Sequence, residues 1–107
     1  MSVNKVILLG NVGADPEIRF PEKDTPVAFF PLATSERYGP QQTEITEWHN
    51  IVVSGNLART AERYIRKGSK IYLEGRLRTR EYTDRFKIVR KRTEIIADFI
   101  EITGRQG

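Results

Sequence analysis

Lys70–Tyr82 reads KIYLEGRLRTREY, and the period of its side chains decides what the rest of the chain must build. In an extended strand, successive side chains point to opposite faces. Ile71, Leu73, Gly75 and Leu77 then share one face, apolar and small, fit for a core. Tyr72, Glu74, Arg76, Arg78, Arg80 and Tyr82 share the other, where three guanidiniums lead to a phenol ring. Such a strand has one side to bury and one side to offer a flexible polyanion that carries flat bases.

The segment just before it reads as the one helix. Asn56 is a suitable N-cap, and Leu57, Ala58, Ala61, Tyr64 and Ile65 form a single apolar stripe at helical spacing. Gly68 stands where a glycine after the last turn is expected, with Arg66 and Lys67 complementing the negative end of the helix. After Tyr82, the basic stretch Thr83–Lys91 reads as a hairpin arm without a glycine at its tip, and Arg92–Ile102 as the last strand, with Ile95, Ala97 and Phe99 on one face. Upstream, Asn4–Val12 is a first strand that bends at Gly10 and a turn at Gly13–Pro16, then resumes over Glu17–Phe20. Val27–Ser35 is the second strand, which Pro31 assigns to an edge or a bulge because it lacks an N–H donor. Thr46–Gly55 is the third. The order β-β-β-α-β-β, with a bent first strand able to pair on both sides, predicts an all-β domain with one helix: a five-stranded OB-fold Greek-key barrel with its helix between strands 3 and 4.

Composition narrows the chemistry. At 107 residues the chain forms one domain. It has no cysteine and one histidine, which removes thiolate metal sites and disulfides and leaves little for a zinc centre or a histidine triad. No apolar stretch approaches the roughly 20 residues of a membrane span. Glu44 and Glu47 are the nearest acidic pair to a groove, and they lack a third catalytic partner. Gly10, Gly13 and Gly39 are spaced as turns rather than as a phosphate loop. No catalytic residue, metal or cofactor is therefore expected.

The net charge of +4 conceals a strong asymmetry. Residues 59–92 carry thirteen Lys/Arg against four acids, a balance of +9, while residues 1–58 balance at −3 and residues 93–107 at −2. A concentrated basic segment is the electrostatic footprint of a nucleic-acid partner. Base stacking needs aromatic platforms, which Trp48, Tyr38, Tyr82 and Phe86 can supply. Phosphates need cations, which Arg76, Arg78, Arg80 and Lys87 can supply. Trp48 shares its strand face with Asn50, Val52 and Ser54, polar enough for a groove. Tyr64 and Tyr72 are expected to pack, as is at least one of Phe29 and Phe30. His49, with Ile51 and Val53, is expected to be buried or at an interface.

The stretches VNKVILLGNVGADPEIRF (Val3–Phe20), LATSERY (Leu32–Tyr38), EWHNIVVSG (Glu47–Gly55), YIRKGSKIYLEGRLRTREYTD (Tyr64–Asp84) and TEIIADFIEI (Thr93–Ile102) closely resemble the bacterial single-stranded DNA-binding protein family. The resemblance implies a cytoplasmic, nucleoid-associated homotetramer that wraps single-stranded DNA without sequence preference in replication, recombination and repair. It places base-stacking aromatics at Tyr38, Trp48 and Tyr82, and basic contacts at Lys5, Arg19, Lys67, Arg78 and Arg80. A further aromatic platform of the family corresponds to Ser54, which cannot stack, and Asn50 replaces a residue that is often basic. His49 and the first strand, with Val6 and Leu8, are placed at subunit contacts. The resemblance also implies that residues 1–104 are the binding domain and residues 105–107 the start of a missing or trimmed tail. The acidic end of that tail would recruit replication and repair proteins. A primosomal restart factor like PriB and an RNA-binding OB domain are the alternatives.

Overall fold

The computed structural model describes residues 1–105. Its elements are β1 (Val6–Val12), β2 (Glu17–Glu22), β3 (Thr25–Tyr38), β4 (Thr43–Ser54), α1 (Asn56–Tyr64), β5 (Ser69–Thr83) and β6 (Val89–Arg105). The bent first strand counts as two elements, β1 and β2, so the helix falls between β4 and β5 while the architecture remains the OB-fold. The hydrogen-bonded order β1-β5-β6-β4-β3 closes through a β1–β3 pairing, and β2 extends β3. All pairings are antiparallel except β4–β6, which joins Ile51 to Ile95 and Val52 to Ile96 in parallel.

Closure rests on two places where backbones nearly touch. A Cβ at Gly10 would lie 2.3 Å from the Ala33 carbonyl oxygen, and one at Gly75 would lie 2.2 Å from that of Ile96. Gly10 lets β1 pass from its partner β5 to its partner β3, where Asn11 and Val12 oppose Ala33 and Leu32. Inside the barrel Val12, Ala28, Phe30, Leu32, Ile51, Val53, Ile71, Leu73, Ile95 and Ala97 pack together. The helix lays Ala58 and Ala61 on this core, with Ile65 buried just beyond its last turn.

The alternation in Lys70–Tyr82 holds from Ile71 to Gly75 and then changes meaning. Leu77 is exposed rather than in the core, because the barrel ends there. The Asn4 side chain closes that end, donating to the Leu77 carbonyl at 2.8 Å and accepting its N–H at 2.9 Å. Beyond it β5 and β6 run out as a two-stranded arm. β6 gains extra residues at Asp98 and Thr103, where its register against β5 shifts. The first shift turns Phe99 outward, edge-on to Tyr72 with ring centroids 6.1 Å apart, and brings Ile100 opposite Leu73. Phe99 therefore leaves the face it was expected to share with Ile95 and Ala97.

Four local readings also change. The helix N-cap is Gly55, at φ +65°, with no side-chain cap; Asn56 is already helical. Tyr64 is exposed beneath the Arg63 guanidinium instead of packing. Gly68, at φ +91°, sits in the turn closed by Ser69 N–H to the Arg66 carbonyl, because the helix has already ended in extended backbone at Ile65. Pro31 is neither at an edge nor at a bulge, since the β3–β4 register runs unbroken through Pro31 opposite Asn50. Its carbonyl accepts the Gly13 N–H at 3.0 Å, so its nitrogen faces the bend between β1 and β2, where no ladder donor is required. At the C-terminal end Arg105, expected to begin the tail, still belongs to β6. Residues 106–107, expected as tail, lie outside the described residues.

Gly75→Ala should lower unfolding stability by about 3 kcal/mol, the upper part of the overpacking range, because a carbonyl rather than a flexible side chain must move. Gly104→Ala, with nothing within 4 Å of the new Cβ, is the control and should stay within about 0.5 kcal/mol. Urea denaturation of the two variants beside the wild type measures both.

Candidate nucleic-acid interface

Trp48, on β4, is 61% exposed despite being the chain's one tryptophan. Its ring lies over Gly13, where a Cβ would come within 2.4 Å of the ring edge. The missing side chain of the glycine therefore makes the seat for the indole edge, while most of the residue stays open to solvent. Trp48 shares a cavity of about 430 Å³ with Asn11, Gly13, Ser35, Thr46 and Lys67. Asn11 Oδ1 is buried there without a hydrogen-bond partner. Lys67 is positioned by its backbone, whose N–H donates to Asp15 Oδ1 at 2.8 Å.

Strand register carries this face across the barrel. Trp48 opposes Ala33, Asn50 opposes Pro31, Val52 opposes Phe29 and Ser54 opposes Val27; directly opposed side chains share one face. Asn50 is tied on both sides: it donates to the Thr93 carbonyl and accepts from Arg92 at 3.0 Å. Next along β6 stands Glu94, whose side chain is 1% exposed. Arg80 donates to Glu94 at 3.2 Å, while Arg78 and Arg92 stand 3.7 and 3.9 Å from its oxygens. Each of the three arginine side chains is about half exposed. A buried carboxylate thus gathers three cations that would otherwise repel one another and holds their outer edges toward solvent. Sequence reading missed Glu94, although its place opposite Arg78 in the β5–β6 ladder follows from pairing the two alternations.

The remaining expected residues fall in several places. Tyr82, opposite Arg90, lies on the arm on the same face as Arg78 and Arg80. Phe86 is exposed at the arm's tip with the Arg85 guanidinium 5.0 Å from its ring centroid, and Lys87 sits beside it at φ +63°. Arg76 is exposed, and Glu74, on the same strand face, is taken by Lys5 and Tyr72. Tyr38 lies opposite Thr43 near the end of the β3–β4 hairpin, on the face opposite Trp48, and its hydroxyl donates to Glu36. That bond pushes the phenol pKa up. The structure therefore does not bring Tyr38 and Trp48 onto one flat face; a strand touching both must wrap around the hairpin.

Lys5 is not brought to the groove. It pairs with Glu74 at 3.0 Å on the outer side of β1 and β5. Tyr72 first and Lys5 second hold the Glu74 carboxyl below its ordinary range by hydrogen bonding. Val6 and Leu8 pack against the core, so the alternation of β1 gives its outward positions to Ile7 and Leu9, both exposed. His49 is half-buried, and its Nε2 lies 2.8 Å from the Thr34 hydroxyl. Arg19 bonds Glu17 and stands over Phe29, 5.2 Å from the ring centroid.

An OB-fold barrel with a cationic, aromatic-lined outer face is the class that this geometry defines. The family model described as the single-strand binding protein family matches residues 3–103, and the chain belongs to that family. It is 49% identical over 112 aligned positions to the single-stranded DNA-binding protein of Bacteroides thetaiotaomicron, an alignment that covers all of this chain and 70% of that relative.

The arm's tip has a pH limit that can be measured. Asp84 accepts the N–H groups of Phe86 and Ile88 and pairs with Arg90. The Ile88 N–H first and the Arg90 guanidinium second lower its pKa from 3.8. Because the folded value is depressed, the stabilisation is complete above pH about 4 and is lost only as the pH falls through the lowered value. Amide ¹⁵N relaxation should show Phe86 and Ile88 ordered at neutral pH, loosening below the ordinary carboxylate range. Asp84→Ala should make both mobile at every pH.

Proposed function

We propose that this chain binds and protects single-stranded DNA without sequence preference during replication, recombination and repair, and that it does so without catalysis. The observation that carries this reading is Trp48, exposed over the Gly13 seat with Lys67 beside it and the Glu94-organised arginines farther along the groove. Unpaired bases stack on the indole whatever their identity, at about 1–3 kcal/mol per base. Lys67, Arg78, Arg80 and Arg92 take phosphates, which makes affinity fall steeply with salt. Tyr82, Phe86 and Lys87 extend the path along the arm, and Tyr38 extends it around the β3–β4 hairpin. A duplex buries its base faces by stacking, so this surface discriminates against it. Arg76 serves as an outlying phosphate contact. Asn50 acts through Arg92, and Lys5 contributes only if its bond to Glu74 opens.

Family membership supports a homo-oligomer, with a tetramer as the proposed state. The exposed Ile7 and Leu9, together with Phe99 and Ile102, supply the apolar surface for it. Recruitment of replication and repair proteins is assigned to an acidic tail, where the natural chain carries one. Among the described residues no helix is long and apolar enough to cross a membrane, and the proposed location is the bacterial nucleoid.

Adding oligo-dT in low salt should quench Trp48 fluorescence. Trp48→Ala and Arg80→Ala should each weaken single-strand binding roughly 5- to 100-fold and change duplex binding far less. Equal losses on both substrates would defeat the stacking reading. Light scattering should give a tetramer mass that Ile7→Asp lowers; an unchanged mass in that variant would remove β1 from the interface, and a clean wild-type dimer would favour the PriB-like alternative.

A further inference from the structure

Phe20 is out of place for a strand residue of its kind. On β2, Ile18 packs against the core, and alternation should send Phe20 inward after it. Instead the β2–β3 register slips by one residue between Arg19 and Glu22. A bulge re-aims the side chains it carries, and Phe20 is 60% exposed. On the adjoining strand Phe29 is half-buried while its neighbour Phe30 fills the core. Phe29 lies on the outer face with Arg19 over its ring.

These groups converge. A cavity of about 490 Å³ is lined by Arg19, Phe20, Phe29, Arg78, Arg80 and Glu94, among others. A second cavity, about 220 Å³, runs from Phe29 past Pro31 and Asn50 to Arg92. The two cavities share Phe29 and Val52, and the strand register carries the same face on from Asn50 to Trp48. Four residues of β3 separate Ala33, opposite Trp48, from Phe29, or roughly 14 Å of strand. Ser54, on the same face, offers no ring.

We propose that Phe20 and Phe29, with Arg19, form a further stacking slot for an unpaired nucleobase, beyond Trp48 and on the path to Arg78 and Arg80. The ligand class follows from the chemistry. The Phe20 ring presents an open face for stacking, and the Phe29 ring seats the Arg19 guanidinium beside it. Arg19 presents a guanidinium on which a base can also stack. The cations at the cavity wall fit the phosphates on either side of that base. This inference rests on the single-strand reading above. It adds a contact on β2 and β3 that depends on the bulge and not on Trp48.

The test uses the full chain with two oligonucleotides of equal length, oligo-dT and one whose central sugars lack bases. Phe20→Ala removes an exposed ring, and Phe29→Leu keeps the apolar volume that the half-buried position needs. Each should weaken oligo-dT binding roughly 5- to 100-fold and leave binding of the abasic strand within about twofold. In Trp48→Phe/Phe20→Trp, the single tryptophan now at position 20 should be quenched by oligo-dT. Unchanged oligo-dT affinity in both single variants overturns the slot while leaving the Trp48 reading intact, as does an equal loss on the two oligonucleotides. A fall in oligomer mass on Phe20→Ala, with affinity per subunit preserved, also overturns it by making Phe20 a subunit contact. Failure of the wild-type protein to bind oligo-dT at all overturns both readings together.

Discussion

Two missing side chains set the terms for everything else in this molecule. At Gly10 and Gly75 the backbones of crossing strands come so near that even a methyl group would overlap a carbonyl oxygen. That closeness lets a short β1 serve two partners and lets five strands close around one small core. Once the barrel is closed, the outer face across β2, β3 and β4 is fixed by register, and the seat under Trp48 is fixed with it. The groove is a by-product of how tightly the barrel is wound.

Electrostatics then sharpens what packing has placed. Three arginines within reach of one another would repel and spread in water. Glu94 prevents this, since it is anchored by burial and faces all three. Burying a carboxylate is costly unless it is paired and hydrogen-bonded, and here the pairing is shared among heads that remain half in solvent. The arrangement orders the arginines before any ligand arrives, which reduces the side-chain entropy lost when phosphates bind. Asn50 extends the same logic to Arg92, using a neutral amide in place of a second carboxylate.

Much of this was legible in the sequence because the relevant patterns are local. The alternation in Lys70–Tyr82, the helical stripe from Leu57 to Ile65 and the Trp48–Asn50–Ser54 face each follow from a fixed period. Single-residue insertions escaped. The extra residue at Asp98 moves Phe99 off the core face, and the slip after Arg19 turns Phe20 outward; neither leaves a mark in composition. Pro31 was misread because its missing donor was charged against a ladder, whereas the chain turns away at that point. The arm's tip lacks glycine because Asp84 supplies its acceptors and Lys87 adopts the left-handed conformation. Gly13 was missed because its role exists only against Trp48 on a strand distant in sequence, and Glu94 because its burial depends on how β6 lies against β4 and β5.

Open strand edges carry a hazard that the barrel does not remove. Among the described residues β2 is bonded to β3 alone, and beyond the barrel the β5–β6 ribbon pairs only with itself. Unpaired backbone edges of this kind invite other chains to add strands, the first step toward aggregation. Along β2 the defence is brevity, a proline at Pro21, a broken register and the alternating charges of Glu17, Arg19 and Glu22. Along the ribbon it is repulsion, since Arg78, Arg80, Arg90, Lys91 and Arg92 make edge-to-edge docking of two copies unfavourable. Neutralising these cations would therefore do more than weaken a ligand. It would unmask a template for misassembly, so the basic character of the arm has a second reason to exist whenever no polyanion is bound.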